Sequence, residues 1–411
     1  MNLNKTLKQF LPASAFQQDW EEQLQSTNAA DWRPPGELVH AYSKKGKDFE
    51  VWAGSLLNPK INKLVENFQV LVLFYIEAGS ELDLKEVDWS LNRWRVYLVF
   101  EKVEPSIPTA SSYSFIGYST TYRFWRYAKS TSGQRPKPTS AYPALPAIAP
   151  QHLDSRLRIS QFLLLPPYQK AGHGSQLYQA IYNEVLVDPT VNELTVEDPS
   201  EEFDQLRDSC DWKVLEPAFR EAKIRIDSDK PSSIRRIRRI PTPMLLDVSK
   251  LKSIRKETKI APRQFARLTE LYLLSLIPFS HRSTGGASLT KLKIRKHENK
   301  DVWDRTYYWW RLLLKQRIFK KNKEMLREAD PEEKWNGLED SARGQEDEYE
   351  GLLMLFALRQ AGQEGLVGGN GKSSASTSRK RKVIEEDDDD DDDEEVEEIE
   401  VSLTKRARSE A

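Results

Sequence analysis

A strand that runs through a glycine-bearing turn into a helix constrains this chain more than any other feature. Residues 158–182 read RISQFLLLPPYQKAGHGSQLYQAIY. The apolar run 157–165 has strand length and is stopped by Pro166-Pro167. In 175–186, Leu177, Ala180, Ile181 and Val185 recur at helical spacing. Between the two lies Gln169-Lys170-Ala171-Gly172-His173-Gly174, small enough for successive backbone N–H groups to face one concavity. The helix N-terminus adds partial positive charge, so the turn suits a pyrophosphate. The stretch has neither the Gly-Lys-Ser/Thr of a triphosphate loop nor a full G-x-G-x-x-G. Gly371-Lys372-Ser373 ends like a triphosphate loop, but Leu366 replaces the first glycine and no strand precedes it. Gly172 and Gly174 could by themselves serve only to permit a tight turn, but the strand before and the helix after favour the anion site.

The remaining ordered segments alternate in type. Residues 62–78 read as a helix with Gly79 as its C-cap. Residues 94–103 (WRVYLVFEKV) read as a strand, 113–128 as one or two more, and 193–196 as a short one. Prolines in 130–150 make a long loop there, and 280–289 reads as another. Beyond Pro199 the pattern is helical. Trp303, Tyr307, Trp310, Leu314 and Ile318 share one face of a long basic helix. Successive strands, one strand–loop–helix–strand unit and a helical region predict an α+β fold with a mixed sheet.

Charge divides the 411 residues unevenly. The net charge is −1, yet 371–411 hold 8 Lys and Arg against 15 Asp and Glu, a net of −7. The remainder carries 54 against 48, a net of +6. Gly and Ser enrich 365–378, basic clusters occupy 379–382 and 405–408, and 385–400 is almost wholly acidic. Such a segment buries too little apolar surface to offset its ordering entropy, so 366–411 is expected to be disordered. The basic clusters could be nuclear-import signals or simple counter-charge. The single cysteine, Cys210, excludes an intrachain disulfide and a multi-thiolate zinc site, and reads as structural. No apolar run of about 18 residues is present, which fits a soluble intracellular protein.

Several stretches together resemble one family. RISQFLLLPPYQKAGHGSQLY at 158–178 and ELTVEDPSEEFDQLRD at 193–208 are similar to the catalytic subunits of type B histone acetyltransferases, members of the GNAT superfamily of N-acetyltransferases. So are YIEAGSELDL at 75–84, NRWRVYLVFEKV at 92–103, IGYSTTYRFW at 116–125 and KIAPRQFARLTELYLL at 259–274. The resemblance spans about 32–330 in family order. It implies a GNAT fold with a mixed, mostly antiparallel sheet, followed by a helical carboxyl-terminal domain. The expected organisation is a poorly assigned segment 1–31, an acetyl-CoA-binding domain 32–212 with a Pro/Ser-rich loop 130–151, a helical domain 213–365 and the tail 366–411. The first 31 residues do not resemble the sizeable amino-terminal domain usual in the family, which is expected to be lacking.

The resemblance implies transfer of acetyl from acetyl-CoA to lysines in the tail of free histone H4. A lysine amine near pKa 10.4 arrives protonated, so a base must act first. An ordinary carboxylate is weakly basic, and burial or a like charge would strengthen it. Glu197 matches the family's general base, with Asp198 beside it and Glu77 at a third acidic position. Glu77 lies in apolar LVLFYIEAG, where burial and a helix C-terminus would raise its pKa. Asp198-Pro199-Ser200-Glu201 also fits a helix N-cap at Asp198. The backbone of Phe162, Leu163 and Leu164 matches residues that pair with the pantetheine arm like an added strand, one N–H steadying the oxyanion. Gln169, Lys170, Ala171, Gly172, His173, Gly174 and Ser175 would wrap the pyrophosphate, with Ser200 as a further contact. His173 is read as using its main chain rather than acting as a base. Trp94, Tyr122, Arg123 and Phe124 match positions by the histone-peptide groove, though strand aromatics also serve as core. No metal is expected. The resemblance further implies a WD-repeat histone-binding subunit, no membrane or direct nucleic-acid partner, and residence in nucleus and cytoplasm. An inactive histone-binding scaffold and a small-amine acetyltransferase are the competing readings.

Overall fold

The computed structural model describes residues 28–77, 79–86, 88–105, 107–125, 153–229, 240–282, 301–323 and 330–360, with Lys5, Lys8 and Phe16. The expected loop 130–151 and tail 366–411 lie outside these residues. Contacts divide the chain at 357/358, and the sheet lies wholly in the first unit, Met1–Ala357.

Six strands form one sheet in sequence order: β1 (Glu37–Lys44), β2 (Lys47–Ser55), β3 (Trp94–Lys102), β4 (Tyr113–Trp125), β5 (Ser155–Leu164) and β6 (Val191–Val196). Every neighbouring pair is antiparallel except β5 and β6, which are parallel. The parallel pair needs a crossover, supplied by α4 (His173–Val187). This is the expected α+β architecture with a mixed, mostly antiparallel sheet.

Each face of the sheet is covered by different helices. On one side pack α1 (Pro59–Phe68) and α2 (Val70–Tyr75), through Ile61, Val65 and Val72 against Val96, Leu98, Tyr118 and Leu163. The expected single helix 62–78 is therefore two. The first begins earlier, at Asn58, whose side chain accepts from the Lys60 N–H at 3.0 Å. The break falls at Gln69, and Gly79 lies beyond the helix instead of capping it. A short α3 (Asp88–Leu91) precedes β3.

The other face carries α4, and behind it α5 (Glu201–Glu221), α6 (Thr242–Leu245), α7 (Val248–Thr258), α8 (Pro262–Ser275), α9 (Val302–Lys321) and α10 (Pro331–Gln360). Tyr307, Trp310, Leu314 and Ile318 of α9 are buried as their spacing predicts, whereas Trp303 is exposed. One apolar cluster runs from Phe49 on β2 through Ile181 on α4 and Leu271 on α8 to Phe356 on α10. The boundary expected at 212/213 falls inside α5, and the core is continuous across it. Cys210 is buried there.

Candidate functional site

The site is assembled where β5 and β6 part. Their pairing ends with Ile159 opposite Val196, and the Glu197 N–H donates to the Ile159 carbonyl at 2.9 Å. On its other side β5 pairs with β4, and here the register slips: Thr120 faces Gln161 while Thr121 faces Ile159. Ser160 is the extra residue of this bulge, which bends a strand and re-aims its side chains. The Ser160 hydroxyl donates to Glu197 Oε2 at 2.5 Å. Glu197 is thus held at the fork by its main chain and its carboxylate, and it is exposed.

Beyond the fork, β5 has an edge that β6 no longer covers. The N–H of Gln161 donates to Thr120 Oγ1 and that of Leu165 to the Ile116 carbonyl, both towards β4. Alternation turns the Leu163 main chain the same way and directs Phe162 and Leu164 to the open edge. Of the three residues expected to offer backbone groups, Leu163 therefore faces its own sheet. Its side chain is 3% exposed, in the α1–α2 core. The Leu164 carbonyl accepts from Gln169 Nε2 at 2.8 Å, so Gln169 fastens the turn back onto the strand.

The turn then enters α4. A 3-10 turn at Pro166–Tyr168 is followed by two left-handed residues, Lys170 (φ +55°) and Gly172 (φ +85°). Ala171 lies between them. Gly172 is the N-cap of α4 and, lacking a side chain, leaves the first turn without a side-chain cap. The N–H groups of His173, Gly174 and Ser175 belong to that first turn, which carries the helix's positive end. Gly174 lies close under α5: a Cβ there would lie 2.6 Å from the Leu206 side-chain tip, which would have to shift, and 3.6 Å from that of Leu164. His173 is 4% exposed, and its Nδ1 shares a 2.8 Å hydrogen bond with the Tyr42 hydroxyl. Burial, helped by Lys44, holds its imidazole below the ordinary range. It is a neutral packing residue whose main chain belongs to the turn.

The other acids stand differently from expectation. Glu77 follows α2 and is exposed, so the burial expected of it is not found. Its segment is nonetheless tied to β5: Gln161 Nε2 donates to the Ser80 carbonyl at 3.0 Å. Asp198 does not cap α5. Ser200 does, accepting from the Phe203 N–H at 3.3 Å, which engages the hydroxyl assigned to the cofactor. Asp198 instead makes the corner between β6 and α5, with φ +33° and its side chain exposed.

The proposed peptide-groove residues separate onto two faces. Trp94 and Tyr122 pack at a tilt with ring centroids 4.7 Å apart, and Tyr122 meets Phe124 edge-on at 4.6 Å. Their faces are already partly covered by cations of this chain, Arg93 4.2 Å from the Tyr122 centroid and Arg158 4.6 Å from that of Phe124. The sequence pattern does not single out either arginine, although each lies beside an aromatic strand. Arg123 points the other way. It donates to Ser155 and Thr190 hydroxyls at 3.0 Å and to Asp188 at 2.6 Å, locking the start of β5 to the end of α4. It lines a cleft of about 400 Å³ with Arg95, Glu184 and Asp188, at the far end of β5 from the turn, and Arg93 and Trp94 reach the rim of that cleft too. Arg123 is thus a structural anchor, placed there by strand alternation.

Comparison with known proteins adds independent information. The family profile described as histone acetyl transferase HAT1 N-terminus matches residues 1–77, so the segment before Trp32 lies inside that match. A histone acetyltransferase type B catalytic subunit of Aspergillus fumigatus is 44% identical over 366 residues, 88% of this chain and 64% of the relative. That of Aspergillus oryzae is 42% identical, covering 88% of this chain and 71% of the relative. The Neurospora crassa protein of the same name is 34% identical, with 86% and 72% covered. The chain thus spans just under two thirds of the first relative and just over two thirds of the others. A solved aminoglycoside acetyltransferase from an uncultured soil metagenomic sample is 15% identical and covers 47% of this chain and 95% of its own, with a TM-score of 0.23. The fold accordingly rests on the chain's own topology.

Proposed function

Because the chain belongs to the family of type B histone acetyltransferase catalytic subunits, we propose that it moves acetyl from acetyl-CoA to lysine ε-amines in the tail of free histone H4. The observation that carries the reading is the fork itself. One carboxylate, an open strand edge and an uncapped helix N-terminus converge around residues 159–175. Phe162 and Leu164 offer main-chain groups to the pantetheine amides in the manner of an added strand. The turn 169–175 receives the pyrophosphate, its N–H groups directed by α4.

Glu197 is the general base. It accepts the proton of the lysine ammonium, directly or through one water. The free amine attacks the thioester carbonyl, the tetrahedral oxyanion collapses, the C–S bond breaks and the thiolate leaves to be protonated. Both substrates cover the exposed carboxylate as they bind, which excludes water from the reacting atoms. Glu77, whose segment is tied to β5 through Ser80, and Asp198, next to the base in the chain, supply negative charge that attracts the substrate ammonium in this reading. The H4 tail lies along the Trp94–Tyr122–Phe124 side, with Arg93 and Arg158 yielding ring faces to it.

A WD-repeat histone-binding subunit as partner, and residence in both nucleus and cytoplasm, are parts of the same proposal. They rest on family likeness and on the basic clusters at 379–382 and 405–408. Among the described residues no helix is long and apolar enough to cross a membrane.

The test is transfer from labelled acetyl-CoA to an H4 tail peptide by this chain and by Glu197→Gln. Loss of a general base should lower kcat roughly 10²–10⁴-fold with donor binding retained. Donor binding without transfer by either protein favours the scaffold reading. Transfer to spermidine but not to the peptide favours the small-amine reading.

A further inference from the structure

We infer that Lys44, the last residue of β1, is a ligand for the phosphate groups of the acetyl donor, so that the β1–β2 turn forms one wall of the donor site. The inference rests on the donor reading above and adds a residue to it.

The turn is a two-residue hairpin connection. Lys45 (φ +50°) and Gly46 (φ +76°) are both left-handed, as a turn matching the twist of its strands requires. It brings Lys44, Lys45 and Lys47 together. The last of these is committed: Lys47 Nζ lies 2.6 Å from Glu101, and Glu101 also accepts from the Tyr168 hydroxyl at 2.9 Å. Because Tyr168 belongs to the segment entering the phosphate turn, this chain of contacts bolts the hairpin to it. Three further contacts do the same. Tyr42 meets His173, His40 Nε2 lies 2.7 Å from Gln176 Oε1, and the Phe49 ring is centred 4.4 Å from that of His173.

So braced, β1 delivers the Lys44 ammonium directly against Gly172, where any Cβ would collide with it. Gly172 is the N-cap of α4. A cation there stands beside the positive end of a helix, an arrangement unfavourable by itself. Lys44 makes no ion pair among the described residues. Its charge and that of Lys45 both act on His173, lowering its proton affinity. Two like potentials are therefore held in contact by a rigid scaffold. An anion between them would satisfy both, and a phosphate group, accepting from main-chain N–H and ammonium together, has the chemistry to do so.

The experiment uses the whole chain, acetyl-CoA, and S-acetylpantetheine, which keeps the reacting end and lacks every phosphate. Lys44→Met should lower kcat/KM for acetyl-CoA roughly tenfold, the worth of one charged hydrogen bond, mainly through KM. The salt dependence of KM should flatten. The value for S-acetylpantetheine should stay within twofold, and Lys44→Arg should restore most of the loss. Unchanged use of acetyl-CoA by Lys44→Met overturns the proposal. Equal losses with both donors overturn it too, since they would mark a folding role. Failure of the unaltered chain to bind CoA would instead remove the donor reading, and this inference with it.

Discussion

At Gly117 the main chain of β4 comes so close to β5 that a methyl group has nowhere to go. A Cβ there would strike the Leu163 carbonyl and lie 2.9 Å from Leu164 Cα, and backbone atoms cannot step aside as a side-chain tip can. Gly117→Ala should therefore destabilise by about 2 kcal/mol or more in urea titrations. Donor affinity should fall with it, because the displaced segment is the one beside the fork. Sequence alone does not single out Gly117, since the contact that makes it necessary comes from the neighbouring strand of the sheet. Glu197 is legible only through the family resemblance, since an acid at a strand end is by itself an ordinary exposed residue. Glu77 misleads, because apolar neighbours suggest burial, whereas exposure depends on where the helix breaks, here at Gln69. The cap of α5 lies two residues later than its sequence pattern suggests. Both Asp198 and Ser200 are capping residues by type, but a cap needs an extended backbone, which Ser200 has (φ −68°, ψ 163°) and Asp198 at φ +33° has not.

The element that organises the site is α4, and its two ends are treated oppositely. Its N-terminus is left uncapped beside the turn. Its C-terminus is closed by Lys259, whose ammonium donates to the carbonyls of Val185 at 2.9 Å, Leu186 at 3.2 Å and Asp188 at 2.7 Å. The same residue's carbonyl accepts from the Leu194 N–H at 2.9 Å, so it also stitches the helical layer to β6. Lys259→Met would leave the Val185 and Leu186 carbonyls without this donor, while that of Asp188 keeps the Val191 N–H at 3.2 Å. It should cost about 2–3 kcal/mol, read as a lower denaturation midpoint with an unchanged slope. Periodicity reveals α4, β-branched and aromatic content reveals β3, and an apolar run stopped by Pro166-Pro167 reveals β5. These signals leave β1 and β2 unassigned. Alternation is present in ELVHAYSK, but Lys45-Gly46 is not among the usual hairpin pairs, and β1 is largely exposed as an edge strand. Lys44 escapes notice with them.

Over the whole molecule, sheet, crossover helix and helical layer share one core, and buried charge sits in the seam. Asp211 on α5 accepts from the Tyr178 hydroxyl of α4 at 2.8 Å and lies 3.5 Å from Arg207. Burial outweighs Arg207 and raises its pKa from 3.8 to about 6. An acid with a raised folded pKa holds its proton longer when folded. Its effect on stability is therefore unfavourable as pH climbs from about 4 to 6, amounting to roughly 3 kcal/mol over that window. Asp211→Asn cannot titrate, so its stability relative to the unaltered chain should improve across the same interval. Parallel curves from denaturant titrations at pH 4.5, 5.5 and 7 would refute this. Nothing in the sequence marks Asp211, because a carboxylate in a polar helix becomes unusual only when another layer closes over it. The fork between β5 and β6 has a consequence for heredity. In the proposed donor site, Phe162 and Leu164 act through main-chain atoms that every residue except proline possesses. Substitutions along this edge can then drift while the proposed grip persists.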